Sequence, residues 1–190
     1  MKEIEILVKV NEDFERAKAV LDQFEFVGEK RTVDTYFYDK LRNNLKPDNE
    51  MKLKECFRVR EKDGVSYITY KVDNFDANGK WIYSDEYETK VESAEILKNI
   101  INHLQLDELI VIDNTKYTYL YQNYEIVLER VKDLGIFMEV EASLETEDCD
   151  VLAEKEKIQD FIDGLGIAVS EELNMGKPEM MLRKQFRQLI

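Results

Sequence analysis

Several residue types are scarce in this 190-residue sequence, and each scarcity narrows what the chain can be. Cysteine occurs twice, at Cys56 and Cys149, too far apart to form a metal-ligand spacing. The reading is a pair of reduced thiols in a cytoplasmic protein. The one histidine, His103, falls beside Leu104 in a helical pattern and reads as structural or exposed. Two prolines against nine Phe and ten Tyr fit a β-rich body with few rigid turns. No apolar run approaches the ~20 residues that span a bilayer. The first residues enter a strand pattern with no secretory signature. Basic residues are outnumbered, 27 against 41 acidic, for a formal net charge of −14. Such a surface repels nucleic acid and anionic lipid, so neither a nucleic acid polymer nor a membrane is an expected partner. A small anionic ligand must instead meet a local cluster of Lys and Arg, or arrive with a divalent cation.

What is abundant is alternation. In the first ten residues Ile4, Ile6, Val8 and Val10 fall on one face, and Glu3, Glu5, Leu7 and Lys9 on the other. That is a β-strand with a greasy side and a largely ionic one. Asn11 then caps a helix carrying Phe14, Ala17, Val20, Leu21 and Phe24 and ending near Gly28. A strand follows at 32–38, and a polar loop at 40–52. Lys54 to Lys62 sets Phe57 and Val59 against Lys54, Cys56, Arg58, Arg60 and Lys62. Asp63-Gly64 turns it into a return strand from Val65 to Asp73, with Lys71 on the ionic side. Asn78-Gly79 leads to a strand through Glu86 and Glu88, and Ser93 caps a second helix. Three strands are expected at 108–113, 115–122 and 124–132, and a further one through Glu139 and Glu141. A helix at 150–163 and a short final helix from Pro178 complete the chain.

These elements make one domain, residues 1–190, burying roughly 70% of its unfolded surface. The expected fold is α+β: eight antiparallel strands closed into a barrel, a tunnel with a polar, charged interior and helices packed outside. An antiparallel sheet with one solvated side would alternate in the same way. Two features favour the interior. Long helices need the strands' apolar faces on the outside, and the charges cluster by type, basic in the middle hairpin and acidic toward both ends. Cys56 then reads as a small filler and Trp81 as packed under a helix. The run Glu145-Thr146-Glu147-Asp148 reads as a solvated helix entry.

The ionic face has a specific chemistry. Glu3/Glu5, Glu86/Glu88 and Glu139/Glu141 place carboxylates side by side, and hard oxygen ligands of that kind suit Mg²⁺ or Mn²⁺. Arg58 and Arg60 can fork onto phosphate oxygens, while Lys71 and Lys116 act as point charges.

Glu3-x-Glu5, Asp34-Thr35-Tyr36-Phe37, Phe57-Arg58-Val59-Arg60-Glu61, Thr69-Tyr70-Lys71, Glu86-Tyr87-Glu88 and Leu128-Glu129-Arg130-Val131-Lys132-Asp133-Leu134-Gly135-x-Phe137-x-Glu139-x-Glu141 occur in that order. Together they resemble the CYTH superfamily, the triphosphate tunnel metalloenzymes, over nearly the whole chain. The resemblance implies a metal-dependent enzyme of the class IV adenylate cyclase or triphosphatase kind. Its substrate would be ATP, tripolyphosphate or thiamine triphosphate. Glu3, Glu5, Glu129, Glu139 and Glu141 would hold Mg²⁺ or Mn²⁺. Lys9, Lys54, Arg58, Arg60, Lys71 and Lys116 would bind the triphosphate, with Glu86 and Glu88 as further tunnel acids. Tyr36 and Lys71 match a catalytic dyad of the thiamine triphosphatases. Leu7 departs from the family's Glu-x-Glu-x-Lys, Thr118 stands where a second basic residue is expected, and Glu129 replaces an Asp. Those losses leave open a tunnel that binds polyphosphate or a nucleotide without turning it over, and an open sheet serving only as an interaction domain. Pairing of two such sheets in a homodimer also stays open.

Overall fold

A computed structural model describes the backbone of residues 2–144 and 150–188, with side chains over 4–142 and 150–186. The acidic run 145–148, Cys149 and the side chain of Glu3 lie outside the described residues. The strands are β1 Lys2–Lys9, β2 Glu25–Tyr38, β3 Glu55–Lys62, β4 Val65–Phe75, β5 Trp81–Val91, β6 Asp107–Tyr121, β7 Tyr124–Val131 and β8 Gly135–Leu144. Helices α1 Phe14–Leu21, α2 Ala94–His103, α3 Val151–Gly164 and α4 Lys177–Gln188 accompany them. The expected loop at 40–52 contains only one short 3₁₀ turn, Asn43–Leu45.

All pairings are antiparallel, in the order β1-β5-β4-β3-β2-β6-β7-β8. The sheet curls until β1, paired with β8 from Lys2↔Leu144 to Lys9↔Phe137, also meets β5. That second seam is short, Lys2↔Asp85 and Glu3↔Ser84. Where β1 and β5 part, residues 168–176 run between them as a strap. Ser170 and Leu173 donate backbone N–H groups to the carbonyls of Lys9 and Leu7. Asn174 accepts from Trp81 N–H (2.6 Å) and donates to the Gly79 carbonyl (3.0 Å).

Three element boundaries differ from the sequence-based expectation. Asp13, not Asn11, caps α1, accepting N–H bonds from Glu15 and Arg16. The helix stops at Leu21, and residues 25–31 belong to β2, which pairs with β6 from Glu25↔Leu120 onward with a bulge before Gly28. Phe24 lies on the helical period but packs against Tyr121 and Phe161. Finally, 108–113 and 115–122 are one strand. Asn114, where the two expected strands met, is buried and donates Nδ2 to Glu129 (2.7 Å), which lets an amide sit inside a continuous strand. The β3–β4 turn follows the sequence: Asp63 and Gly64 both take positive φ, 50° and 76°. That geometry matches the twist of the flanking strands, and glycine adopts it without strain.

The apolar strand faces point outward into the helices. Ile4, Ile6 and Val8 of β1 join Ile126, Leu128, Met138 and Val140 beneath Phe14, Ala17 and Leu21 of α1 and Ile158 and Ile162 of α3. Helix α2 covers Phe37 and Val59 with Ala94 and Ile101. Met181 of α4 joins Leu7, Tyr36, Ile112 and Phe137. Leu128 is fully buried at the first of these seams. Leu128→Ala is expected to lower stability by about 2–5 kcal/mol, read as a shifted midpoint in urea unfolding with an unchanged slope.

A charged cavity on the concave face

With the apolar residues turned outward, period two delivers the intervening side chains to the concave face. There they line a cavity of about 250 Å³. Strand β3 contributes Arg58, Arg60 and Lys62; β2 contributes Lys30, Asp34 and Tyr36. Lys71 comes from β4, Glu86 from β5 and Lys116 from β6. Glu125, Glu139, Glu141 and Glu5 come from β7, β8 and β1. Among the described residues, eight acidic and eight basic side chains line the space, so their charges formally cancel in a protein of net charge −14.

The charges are cross-linked. Arg60 forks onto Asp34 through Nε and Nη2 (2.8 and 2.9 Å), and Arg58 stands 3.8 Å from the same carboxylate. Burial disfavours the charged form of Asp34, yet the guanidiniums of Arg60 and Arg58 hold its carboxyl well below the usual carboxylate range. Arg58 also lies 3.6 Å from Glu86 and donates Nη1 to the Tyr36 hydroxyl (3.3 Å). Burial pushes that hydroxyl up to about 12, so Tyr36 is a neutral phenol at physiological pH. Lys71 donates to Glu5 (2.7 Å) and lies 3.9 Å from Glu86. Lys116 stands 3.6 Å from Glu139. Among the described residues, Arg58 Nε, Thr32 Oγ1 and Asn114 Oδ1 are buried without a hydrogen-bond partner in the protein. All three side chains line this one cavity.

The structure thus brings together Glu5, Tyr36, Arg58, Arg60, Lys71, Glu86, Lys116, Glu139 and Glu141 from the sequence-based set. It does not bring in Lys9 or Lys54. Lys9 has the right face, but β1 ends there, the strap binds its backbone, and its side chain is exposed. Lys54 precedes β3 and is exposed, its carbonyl accepting the N–H of Asp73. Glu88 sits at the rim, accepting from Thr69 (2.8 Å) and lying 3.9 Å from Arg60. Glu129, on the inward face of β7, is fully buried beneath Asn114 and Lys177, to both of which it is bonded, and does not itself line the cavity. Cys56 faces the cavity as expected, and burial pushes its thiol far up, so it is inert filler. Trp81 also faces the cavity, with Lys71 5.4 Å and Lys155 of α3 5.7 Å from the ring centroid.

Sequence reasoning missed Lys30, Asp34, Glu125, Lys177 and Glu179 as lining residues, and put Lys62 on the ionic face without giving it a place in the site. Lys30 was hidden by the overlong helix, although Lys30, Thr32, Asp34 and Tyr36 keep strict alternation. Lys62 and Glu125 follow the same period as Arg60 and Glu129. Lys177 and Glu179 have no such signal, because α4 reaches the cavity only through the strap.

Metal-ligand chemistry is present in outline. Glu5 is the cross-strand partner of Glu141, which is in turn the partner of Glu125, giving a row of oxygen donors across β1, β8 and β7. Among the described residues no three His, Cys, Asp or Glu converge closely enough to hold an ion in this arrangement. The donor set fits a hard divalent cation rather than zinc.

An α+β protein of eight curled antiparallel strands around a neutralised charged cavity is the class defined so far. The family follows from comparison. The CYTH domain model matches residues 1–169, and the chain belongs to that family. It is 28% identical over 192 residues to protein MJ0240 of Methanocaldococcus jannaschii, spanning 100% of this chain and 98% of that one. The name of that relative carries a provisional adenylate cyclase label. The PH1819 protein of Pyrococcus horikoshii superposes with a TM-score of 0.80 at 23% identity, covering 96% of this chain and 99% of that chain. The Hippeastrum protein HpAC1 superposes with a TM-score of 0.65 at 13% identity, covering 97% and 96%. It is described as an adenylyl cyclase candidate with a dominant triphosphatase activity. No helix among the described residues is long and apolar enough to cross a membrane.

Helix α4 closes one end of the cavity with Glu179, which accepts N–H bonds from Leu53 (2.8 Å) and Gly176. Burial pushes its carboxyl up to about 7, above an ordinary 4.5. The unfolded chain therefore binds fewer protons than the folded one between those values, and stability falls as pH rises through that window. The loss amounts to roughly 3 kcal/mol at most. Glu179→Gln is expected to flatten the dependence of the thermal midpoint on pH between 5 and 8.

Proposed function

We propose that the chain is a divalent-metal-dependent enzyme that binds a triphosphate in a tunnel inside the curled sheet and cleaves it. The observation that carries this reading is the trio of unpartnered buried polar atoms on one charged wall, Arg58 Nε foremost. A buried guanidinium donor needs an acceptor, and a phosphate oxygen supplies one. The strap that bridges β1 and β5 supports closure of the curled sheet into a tunnel.

In this reading Arg58 and Arg60 of β3, Lys71 of β4 and Lys116 of β6 grip the phosphate chain. Glu5, Glu139 and Glu141 would hold Mg²⁺ or Mn²⁺ on the facing wall. The metal, when bound, neutralises charge on the phosphate oxygens. Asp34 aims Arg60 and braces Arg58, fixing both forks before the ligand arrives. Tyr36, as a neutral phenol, can donate its O–H to a phosphate oxygen or hold a nucleophilic water, and Lys71 stands on the same wall. Transfer of a phosphoryl group needs chiefly such positioning and charge stabilisation. Attack of water at the terminal phosphorus is favoured over cyclisation of a nucleotide by size. At about 250 Å³ the cavity is below the ~300–1,000 Å³ common for organic ligands, so it suits the phosphate chain with any organic group outside.

The test is a panel of tripolyphosphate, thiamine triphosphate and ATP, each with Mg²⁺, Mn²⁺ or EDTA, read as orthophosphate and cyclic AMP. Orthophosphate released only with metal is expected, and Arg58→Ala should lower that rate by roughly 100-fold or more. Tight metal-dependent binding without product would identify the non-catalytic tunnel instead. Neither binding nor product would defeat the reading.

A further inference from the structure

Strands of unequal length leave stretches of edge without a neighbour, and one of these is the second half of β5. On one side β5 pairs with β4, in unbroken register from Tyr83↔Asn74 to Val91↔Ser66. On the other it meets β1 only at Asp85 and Ser84, and the strap reaches it at Trp81. Among the described residues no strand pairs with 86–91 on that side. Every second N–H and C=O there points sideways into solvent, and such a row is a template for another strand. Residues 87–90 are exposed, Tyr87 by 65%. The open stretch 25–31 of β2 differs, because the bulge before Gly28 kinks it.

The β5 edge is complementary to itself. Glu86 lines the cavity, so Glu88 and Lys90 share its face, and Tyr87, Thr89 and Val91 take the convex one. Two antiparallel copies of a strand can be related by a two-fold axis that sets one residue opposite its own copy. With the axis at Thr89, threonine meets threonine, Glu88 meets Lys90 twice, and Tyr87 meets Val91 twice. Hydroxyl pairs, opposite charges and an aromatic ring on a β-branched side chain are the cross-strand pairs that stabilise a ladder. Centring on Glu88 would set two carboxylates together. Centring on Lys90 would oppose two ammoniums and put Glu88 against Glu92. The window ends at Asp85, which is taken by Lys2, and at Ser93, which caps α2.

We propose that the free edge of β5 docks a second copy of this chain, residues 87–91 of the two copies forming an antiparallel ladder about Thr89. Each copy carries a net charge of −14, so two copies repel at a distance and can meet only where signs match locally. The edge supplies that match through its two Glu88–Lys90 pairs. A ladder this short makes a reversible dimer, with a dissociation constant on the order of micromolar. Glu88 stands at the cavity rim, 3.9 Å from Arg60, so docking sets Lys90 of the second copy beside that rim.

The experiment is sedimentation velocity from roughly micromolar to hundreds of micromolar protein, with the thermal midpoint of each variant recorded. The wild type is expected to pass from monomer to dimer. Lys90→Glu sets carboxylates against each other and should weaken association roughly tenfold or more. The exchanged variant Glu88→Lys/Lys90→Glu restores opposite signs and should regain most of it. Tyr87→Ser, at a position exposed in the single copy, should weaken association several-fold. Helix α2 also exposes apolar side chains, Ile96 by 63%, Ile100 by 50% and Leu104 by 67%, so Ile100→Glu serves as the comparison. A wild type that stays monomeric throughout overturns the proposal. So does a dimer that survives Lys90→Glu and Tyr87→Ser, or one lost only in Ile100→Glu, which would place the interface on α2. A folded exchanged variant that regains nothing overturns the ladder about Thr89. If either charge variant does not fold, Tyr87→Ser decides, and its undiminished association overturns the proposal.

Discussion

Mutual neutralisation of charge inside the curled sheet is the constraint on which the rest of the structure depends. A carboxylate or ammonium withdrawn from water is tolerated only with a partner of opposite sign. Here Asp34 is met by Arg60 and Arg58, Glu5 by Lys71, and Glu139 by Lys116 and Lys177. The strand order makes these meetings possible. It gathers the basic residues of β2, β3, β4 and β6 on one side and the acidic residues of β7, β8 and β1 on the other. A cavity polarised in this way complements a ligand that is itself a cation and an anion together. The strongly negative exterior would repel a bare polyanion, and a metal complex of reduced charge suffers that repulsion less.

Much of this was legible in the sequence because it is local. Arg58 and Arg60, or Glu139 and Glu141, occupy one face of a strand by period two alone, whatever the rest of the fold does. The family motifs added that such strands curl with their ionic faces inward. What period two cannot give is height along the strand. Lys9 and Lys54 have the right parity but lie past the ends of the cavity, in solvent. Nor does local pattern foresee long pairings. The first third of β2 and the continuity of β6 through Asn114 are imposed by each strand on the other, over registers from Glu25↔Leu120 to Tyr38↔Asp107. Lys177 was illegible for a further reason. Its position depends on a helix docking to Leu7, and Leu7 taken alone looked like a defect in a motif.

The departure at Leu7 shows how apolar and ionic parts of this protein are coupled. One residue faces the charged cavity, belongs to the cluster under α4, and holds the strap through its carbonyl. Substitution there alters packing and electrostatics at once, so its effects would not add simply to those of neighbours such as Met181 or Glu139.

The strap and α4 carry one more consequence. Chain ends ordinarily fray, since few contacts hold them. Here Ser170, Leu173 and Asn174 are bonded to β1 and to the start of β5. Arg183 donates to the Glu50 carbonyl (2.8 Å), and Lys184 reaches that of Asp133. The segment 170–184 is thereby tied at several points to the sheet, and the amides of Ser170 and Leu173, bonded to carbonyls of β1, are shielded from solvent as those of an added strand would be.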